Sequence, residues 1–153
     1  MKFRVVAIGK PRPPLAAAVE AYEARAARYW PLEISTLRDE PARERTSAAV
    51  RKREGERILG AVGPAGTVIA CDERGAAMPS VAFASWLQEL RERAADVAFV
   101  LGGAHGLDDT VRTRATRLLA LAPWTLSHEL ARLVLAEQLY RAGTIMRGEP
   151  YHK

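Results

Sequence analysis

Short apolar runs recur along the chain, and a stretch of helical character follows each of them. The runs Phe3–Ile8, Thr67–Cys71 and Val97–Leu101 are continuous and rich in β-branched residues, which is typical of strands buried on both faces of a parallel sheet. Residues 32–37 alternate between apolar and polar, which predicts a strand nearer an edge. Leu118–Ala122 is the fifth predicted strand.

Helical spacing and capping residues predict the segments between the strands. The predicted helices are Leu15–Arg28, Thr46–Leu59, a helix from the N-cap Ser80 to about Arg93 with Val81 on its buried side, a short basic helix capped by Asp108 or Asp109, and a long amphipathic helix from Ser127 to about Gly148. Gly60–Gly66 is expected to be a loop, and Asp72–Gly75 the turn that ends the third strand. The alternation predicts one α/β domain over residues 1–153, with a parallel sheet of about five strands and helices on both faces.

Composition and charge limit the function only loosely. The 153 residues are 48% hydrophobic and 27% charged, as in an ordinary globular domain. A net charge of +5 favours a polyanionic partner, although an Arg- and Ala-rich composition explains the charge equally well. Cys71 is the single cysteine, which fits a reducing, cytoplasmic location. No apolar run approaches the roughly 18 residues of a membrane span, so no membrane contact is expected.

Two short motifs have both a functional and a structural interpretation. Gly102–Gly106 follows a strand and precedes a helix, as a ligand-binding loop or a tight turn would. The motif lacks the full dinucleotide pattern and follows the fourth strand, which disfavours a nucleotide-binding oxidoreductase. His128-Glu129 begins like a zinc motif, but Arg132 occupies the second histidine position, so no metal site is expected.

The C-terminal residues have open interpretations. Trp124 follows a proline and is either a pocket wall or a core residue. The final residues Tyr151, His152 and Lys153 combine an aromatic ring, an imidazole and a cation, which stack on bases, move protons and contact phosphates. They are either a frayed end or, because a Gly-x-Pro turn precedes them, a tail directed back onto the domain.

Three stretches together resemble one family. They are FVLGGAHGL at 99–107, CDERG at 71–75 and WTLSHELARLVLAEQLYRAGTIMRGEPYHK at 124–153. The last stretch is long and specific, and the resemblance covers the whole chain. The family is the RlmH type of the SPOUT superfamily, the bacterial methyltransferases that act on N3 of a pseudouridine in 23S rRNA.

The resemblance implies a SPOUT fold whose C-terminal part forms a trefoil knot. It also implies a homodimer that acts on assembled ribosomes, with S-adenosylmethionine held in the knot and the substrate site near the subunit boundary. The residues implied for cofactor binding are Cys71, Gly102, Gly103, Leu121, Ala122, Pro123, Trp124, Thr125 and Leu126.

Residue roles follow from the resemblance and from the chemistry of methyl transfer. His152 is the candidate base for the N3 proton, and Arg141 the cation that stabilises the carbonyl oxygens of the base. Tyr151 is expected to orient the pyrimidine, and Glu137 to position Arg141 from one helical turn away. His128, Arg132 and Lys153 are expected to contact RNA. Further arginines considered for rRNA docking are Arg4, Arg12, Arg112 and Arg114.

This sequence departs from the family pattern at four positions. Cys71 replaces a leucine and keeps the position apolar. His105 stands in place of a common glutamate, so the role of that acid is open here. Ser127 replaces a proline, and both suit a helix start. Ala76 replaces a lysine and removes a possible phosphate contact. The alternative function is a non-enzymatic module that binds RNA or the ribosome.

Overall fold

The structure is a computed structural model that describes residues 1–41, 43 and 45–153. The elements, in chain order, are β1 Phe3–Ile8, α1 Ala16–Ala26, β2 Leu32–Leu37, α2 Ser47–Val62, β3 Thr67–Ala76, α3 Ser80–Glu92, β4 Val97–Leu101, α4 Asp109–Arg114, β5 Arg117–Leu119 and α5 His128–Met146. The strands form one sheet in the order β2-β1-β4-β3-β5, and every pairing is parallel. The predicted parallel α/β sheet, with residues 32–37 at an edge, is confirmed.

A separate apolar core covers each face of the sheet. On one face, side chains of α1, α3 and α5 pack on Phe3, Ile69 and Phe99. On the other face, α2 and α4 pack on Val6 and Val100. The strands β1, β3 and β4 contribute alternate residues to the two cores, which explains why the paired parts of these strands are mostly apolar. The polar groups that carry chemistry therefore lie beyond the ends of the strands or on the outer helices.

Two segments predicted as a loop and a turn, Gly60–Gly66 and Asp72–Gly75, form more regular structure than expected. The helix α2 continues to Val62, so the predicted loop over Gly60–Gly66 is wrong in its first part. Val62 is fully buried, and its packing outweighs the weak helix propensity of Gly60. The predicted exit turn over Asp72–Gly75 is instead a bulge within β3, since Cys71 and Ala76 both pair with Leu119 of β5.

Three smaller expectations are also wrong. The N-cap of α3 is Pro79, and the Ser80 hydroxyl donates to Gln138 Oε1 at 2.7 Å. Val81 is 53% exposed because it lies on the outer side of α3. The fifth strand ends at Leu119, because only that part of the segment has β3 beside it. Ser127 does cap α5, accepting a hydrogen bond from the Leu130 N–H.

The junction between β3 and β5 is the tightest backbone approach near the end of the sheet. A Cβ atom on Gly75 would lie 2.5 Å from the carbonyl carbon and oxygen of Leu118, so only glycine fits there. The Ala120 N–H also donates to the Ala76 carbonyl at 3.1 Å. The bulge of β3 is thus fastened to the exit of β5. The trefoil knot implied by the resemblance remains a prediction.

Two helical glycines provide a test of this packing. A Cβ on Gly143 of α5 would lie 2.3 Å from the Tyr29 ring, whereas a Cβ on Gly60 of α2 would meet nothing within 4 Å. Gly143→Ala should lower the free energy of unfolding by about 1–3 kcal/mol, because the Tyr29 ring must move. Gly60→Ala should raise it by about 0.5–1 kcal/mol through helix propensity. Urea denaturation measures both, and equal effects of the two changes would contradict the close packing of Tyr29 on α5.

Candidate functional site

A cleft of about 530 Å³ opens beyond the carboxyl ends of β3, β4 and β5. Ligands of open α/β sheets bind in this position, and the volume suits a small molecule. Of the nine residues expected to bind a cofactor, the cleft is lined by all but Pro123, namely Cys71, Gly102, Gly103, Leu121, Ala122, Trp124, Thr125 and Leu126. The fold therefore brings three distant parts of the chain to one cavity.

The segment Gly102–Gly106, here called the glycine loop, is packed so closely that its first two positions have no room for a side chain. A Cβ on Gly102 would lie 2.8 Å from the Gly106 carbonyl carbon, and a Cβ on Gly103 would lie 2.8 Å from Glu54 Oε1. The loop closes with a hydrogen bond from the Gly106 N–H to the Gly103 carbonyl at 3.0 Å. The absence of side chains at 102 and 103 keeps the backbone open to the cleft.

The walls of the cleft combine apolar and charged groups. Burial and the neighbouring Asp72 raise the pKa of the Cys71 thiol to about 12, so Cys71 remains a protonated, apolar wall. Arg112 donates to Asp72 at 2.6 Å and to Asp109 at 2.9 Å, which ties α4 to the bulge of β3. The Thr125 hydroxyl donates to Glu73, which ties the loop after β5 to the same bulge.

Trp124 lines the cleft at its rim, so the structure agrees with the interpretation as a pocket wall and not with that as a core residue. Its side chain is 78% exposed, the largest exposed fraction among the big hydrophobic residues described. An isolated exposed apolar residue is common, but this one borders a cavity. One face of the indole ring is thus free for a ligand or a macromolecule.

The four residues expected to catalyse form one group, here called the tail cluster: Glu137, Arg141, Tyr151 and His152. Arg141 donates to Glu137 Oε1 at 2.6 Å, and the Tyr151 hydroxyl donates to the same oxygen at 3.0 Å. The Arg141 guanidinium also lies 4.7 Å from the centre of the Tyr151 ring. Burial, with further hydrogen bonding, raises the pKa of Tyr151 well above its usual value. The tail is therefore packed back onto α5, as one of the two interpretations predicted.

The contact between Arg141 and His152 determines what the imidazole can do. Arg141 Nη1 lies 3.2 Å from His152 Nδ1. A guanidinium can only donate, so Nδ1 accepts and the proton of a neutral ring is on Nε2. His152 can accept a further proton only after Arg141 has released Nδ1.

The tail cluster and the cleft are at opposite ends of α5. His128 lines the cleft, and Arg141 is 13 residues further along the helix. At 1.5 Å per residue this separation is roughly 20 Å. No residue of the tail cluster lines the cleft. One chain thus presents two half-sites that do not meet.

The residues expected to contact RNA have different environments. His128 lies at the cleft, where its Nε2 faces the backbone of Gly9 after β1. Lys153 is exposed at the end of the tail. Arg132 is only 6% exposed and donates to both carboxylate oxygens of Glu23 and to Thr36. The expectation of an RNA contact from Arg132 is therefore wrong, since a buried ion pair joins α5 to α1 and β2.

The other arginines considered for RNA docking are also largely engaged within the chain. Arg4 and Arg114 donate to backbone carbonyls of Val62 and Ala65, and Arg112 is paired as described above. Arg12, with its side chain 78% exposed, forms an ion pair with Glu129 at the start of α5. Arg12 is therefore the best placed of these four to meet a partner.

Two residues that contribute to these sites were not identified from the sequence. Gln138 accepts from Ser80 and donates to Glu137 Oε2 at 2.7 Å, which orients the carboxylate of the tail cluster. Glu54 lies under the glycine loop and is 3% exposed. Gln138 stands inside the family stretch at 124–153 but was given no role there, and Glu54 directly follows the charged run Arg51–Arg53, where the pattern does not indicate a buried acid.

Within the described ranges, no three His, Cys, Asp or Glu side chains are grouped closely enough to hold a metal ion. Among the same residues, no helix has the length and apolar character needed to cross a membrane.

Comparison with known proteins gives a consistent family. A family model described as "Predicted SPOUT methyltransferase" matches residues 1–152. The chain is 56% identical over 154 residues to the ribosomal RNA large subunit methyltransferase H of Gemmatimonas aurantiaca, with 100% of both chains covered. It is 47% identical to the protein of the same name from Anaeromyxobacter dehalogenans, again with 100% of both covered.

Solved structures are similar in fold. A probable methylase family protein from Haemophilus influenzae matches with a TM-score of 0.57 and 17% identity, over 99% of this chain and 70% of that one. A probable methyltransferase from Bordetella pertussis matches with a TM-score of 0.54 and 16% identity, over 92% and 95%. At these identities the likeness concerns the fold alone.

The buried ion pair of Arg132 provides a test of its structural role. Arg132→Met should lower the free energy of unfolding by about 3–5 kcal/mol, because the Glu23 carboxylate then lacks its partner. The double variant Glu23→Leu/Arg132→Met should recover most of that loss, since no unpaired charge remains. Denaturant unfolding measures both variants. An unchanged stability in Arg132→Met would contradict the buried pair.

Proposed function

Since this chain belongs to the SPOUT methyltransferase family, we propose that it transfers the methyl group of S-adenosylmethionine to N3 of a pseudouridine in 23S rRNA. Its fold is that of the SPOUT methyltransferases, and it is an enzyme. Membership sets aside both the oxidoreductase and the purely RNA-binding alternatives. The relatives named for the ribosomal large subunit match over their full length, which supports the assembled ribosome, and hence the cytoplasm, as the place of action.

The cleft fits the proposed cofactor by its chemistry. The apolar side chains Leu101, Leu121 and Leu126 suit the adenine ring, and the bare backbone of the glycine loop allows close approach of polar groups. The carboxylates of Glu73, Asp108 and Asp109 favour a cationic sulfonium and can accept from ribose hydroxyls. When bound, this cofactor supplies an electrophilic methyl group.

The proposal that the enzyme is a homodimer rests on the distance along α5 between the cleft and the tail cluster. The cleft holds the proposed donor, whereas the tail cluster holds the side chains suited to a pyrimidine. Because these half-sites are roughly 20 Å apart in one chain, the tail of a second copy must reach the cleft to complete an active site. A two-fold dimer would form two such composite sites. The substrate base would then lie at the subunit boundary.

The hydrogen bonds of the tail cluster suggest how the nucleophile is activated. The N3 imide must lose its proton as the methyl group is transferred, and most of the rate acceleration comes from holding both reactants in line. When the base enters, its carbonyl oxygens accept from Arg141 in place of His152. His152 Nδ1 is then free to accept the N3 proton. Glu137 keeps Arg141 oriented, and Tyr151 packs beside the ring of the base.

Binding and single-turnover assays test the proposal. The wild-type enzyme should bind S-adenosylmethionine in calorimetry and methylate ribosomes from a strain that lacks this activity, with the product located by mass spectrometry. Arg141→Ala should slow the single-turnover rate by about 10²–10³-fold, since it removes the stabilising donor. His152→Ala should slow it by about 10²–10⁴-fold, through loss of the base.

A matched cation on the same helix provides the control. Arg147→Gln, which removes an exposed arginine stacked on Tyr29, should keep a rate within about twofold of wild type. Near-normal rates in both Arg141→Ala and His152→Ala would contradict the roles of stabilising donor and base assigned to these residues. A wild-type protein that does not bind S-adenosylmethionine would contradict the proposed reaction.

Mixed dimers test whether the active site is composite. Gly102→Val should be inactive because its side chain meets the backbone of Gly106, and Arg141→Ala should be inactive for the reason given above. If each site uses the cleft of one subunit and the tail of the other, mixing the two variants should restore about a quarter of wild-type activity. Activity that stays at the level of the separate variants would place cleft and tail of the same subunit in one site.

A further inference from the structure

Glu54 of α2 is buried directly beneath the glycine loop. Its side chain is 3% exposed, and its Oε1 atom has no hydrogen-bond partner among the residues that the structure describes. The other oxygen, Oε2, accepts from the Glu40 N–H at 3.1 Å. Oε1 faces Gly103 so closely that any Cβ there would lie 2.8 Å from it. The carboxyl group thus lies between the β2–α2 connection and the glycine loop.

A buried carboxylate oxygen without a donor is unfavourable, whereas a carboxylic acid in the same place can donate a hydrogen bond itself. Charged groups around Glu54 act in both directions. Burial, and then the charge of Asp39, raise its pKa, while the Glu40 N–H, His105 and Arg57 lower it, and the net direction is upward. A proton on Oε1 gives that oxygen a hydrogen-bond donor, which an ionised carboxylate does not have.

We propose that Glu54 is a positioning residue for the cofactor: its protonated Oε1 donates a hydrogen bond to the backbone of the glycine loop and holds that loop in its binding conformation. The proposal rests on the proposed function, since the ligand of the cleft is taken to be S-adenosylmethionine. Glu54 does not line the cleft, whereas Gly102, Gly103 and Gly106 do, so its effect is transmitted by the loop. The loop fits Glu54 only because position 103 has no side chain.

Two substitutions separate the hydrogen bond from simple space filling. Glu54→Gln keeps the shape and provides an amide N–H donor, whereas Glu54→Leu keeps most of the volume but cannot donate. The control is Ile58→Ala, which removes a buried side chain from the same face of α2, one turn further from the loop. This control should destabilise the fold without altering the loop.

Calorimetric titration with S-adenosylmethionine from about pH 5, just above the ordinary pKa of glutamic acid, to about pH 9 tests the proposal. The affinity of Glu54→Gln should stay within about twofold of wild type at about pH 5, and that of Glu54→Leu should fall about tenfold. Ile58→Ala should bind like wild type although it unfolds at a lower temperature. Wild-type affinity should weaken as rising pH ionises Glu54, and this extra loss should be absent in Glu54→Gln, which retains His105.

Hydrogen exchange of the Gly106 amide, which donates to Gly103, gives a readout that does not depend on the cofactor. The amide should exchange faster in Glu54→Leu than in wild type, Glu54→Gln or Ile58→Ala. Equal cofactor affinity and equal exchange in wild type and Glu54→Leu would overturn the proposal, as would a Glu54→Gln variant as impaired as Glu54→Leu. If wild type bound no cofactor while the exchange pattern held, the proposed reaction would fail and the anchoring role would stand. Should Glu54→Leu not fold, wild type and Glu54→Gln compared across pH decide the matter.

Discussion

Burial of the central strands on both faces is the constraint from which the rest of this structure follows. The strands β1 and β4 lie inside the sheet, with helices packed on each side, and all of their residues except Arg4 are apolar. The polar side chains that can take part in chemistry therefore lie at the carboxyl ends of the strands, in the loops that follow the hydrogen-bonded sheet. The cleft forms there because the bulge of β3, the glycine loop and the segment after β5 converge on one edge of the sheet.

The helix α5 connects the two regions of chemistry and also keeps them apart. Its first turn contributes His128 to the cleft, and its last turns carry the tail cluster. A helix is a rigid spacer, so the separation of roughly 20 Å is fixed within a chain. The proposed homodimer is the simplest arrangement that removes this separation. It also makes the tail of each subunit useful only in the presence of a partner.

Two buried acidic side chains illustrate two ways of accommodating a carboxyl group in the interior. Glu23 is matched by Arg132, so a charge is retained and three elements are joined. Glu54 has no ion-pair partner among the described residues, and burial raises its pKa. Loss of either partner of such an ion pair would leave the other charge unpaired. An acid without a cationic partner instead changes its charge as the pH changes. The first arrangement stabilises the frame of α5, and the second lies under the loop that is proposed to receive the cofactor.

Local pattern was sufficient to predict the strands, the order of elements and the cap at Ser127, because apolar periodicity reports burial and capping is a local interaction. Eight of the nine residues expected to bind a cofactor line the cleft, since a resemblance carries residue positions with it. Pattern could not determine that α2 runs through Gly60, that Arg132 is buried or that Glu54 lies under Gly103. Those outcomes depend on which distant side chains meet across the sheet. The division of chemistry between the two ends of α5 likewise became visible only in three dimensions, because residues adjacent in one motif are carried apart by the rise of the helix.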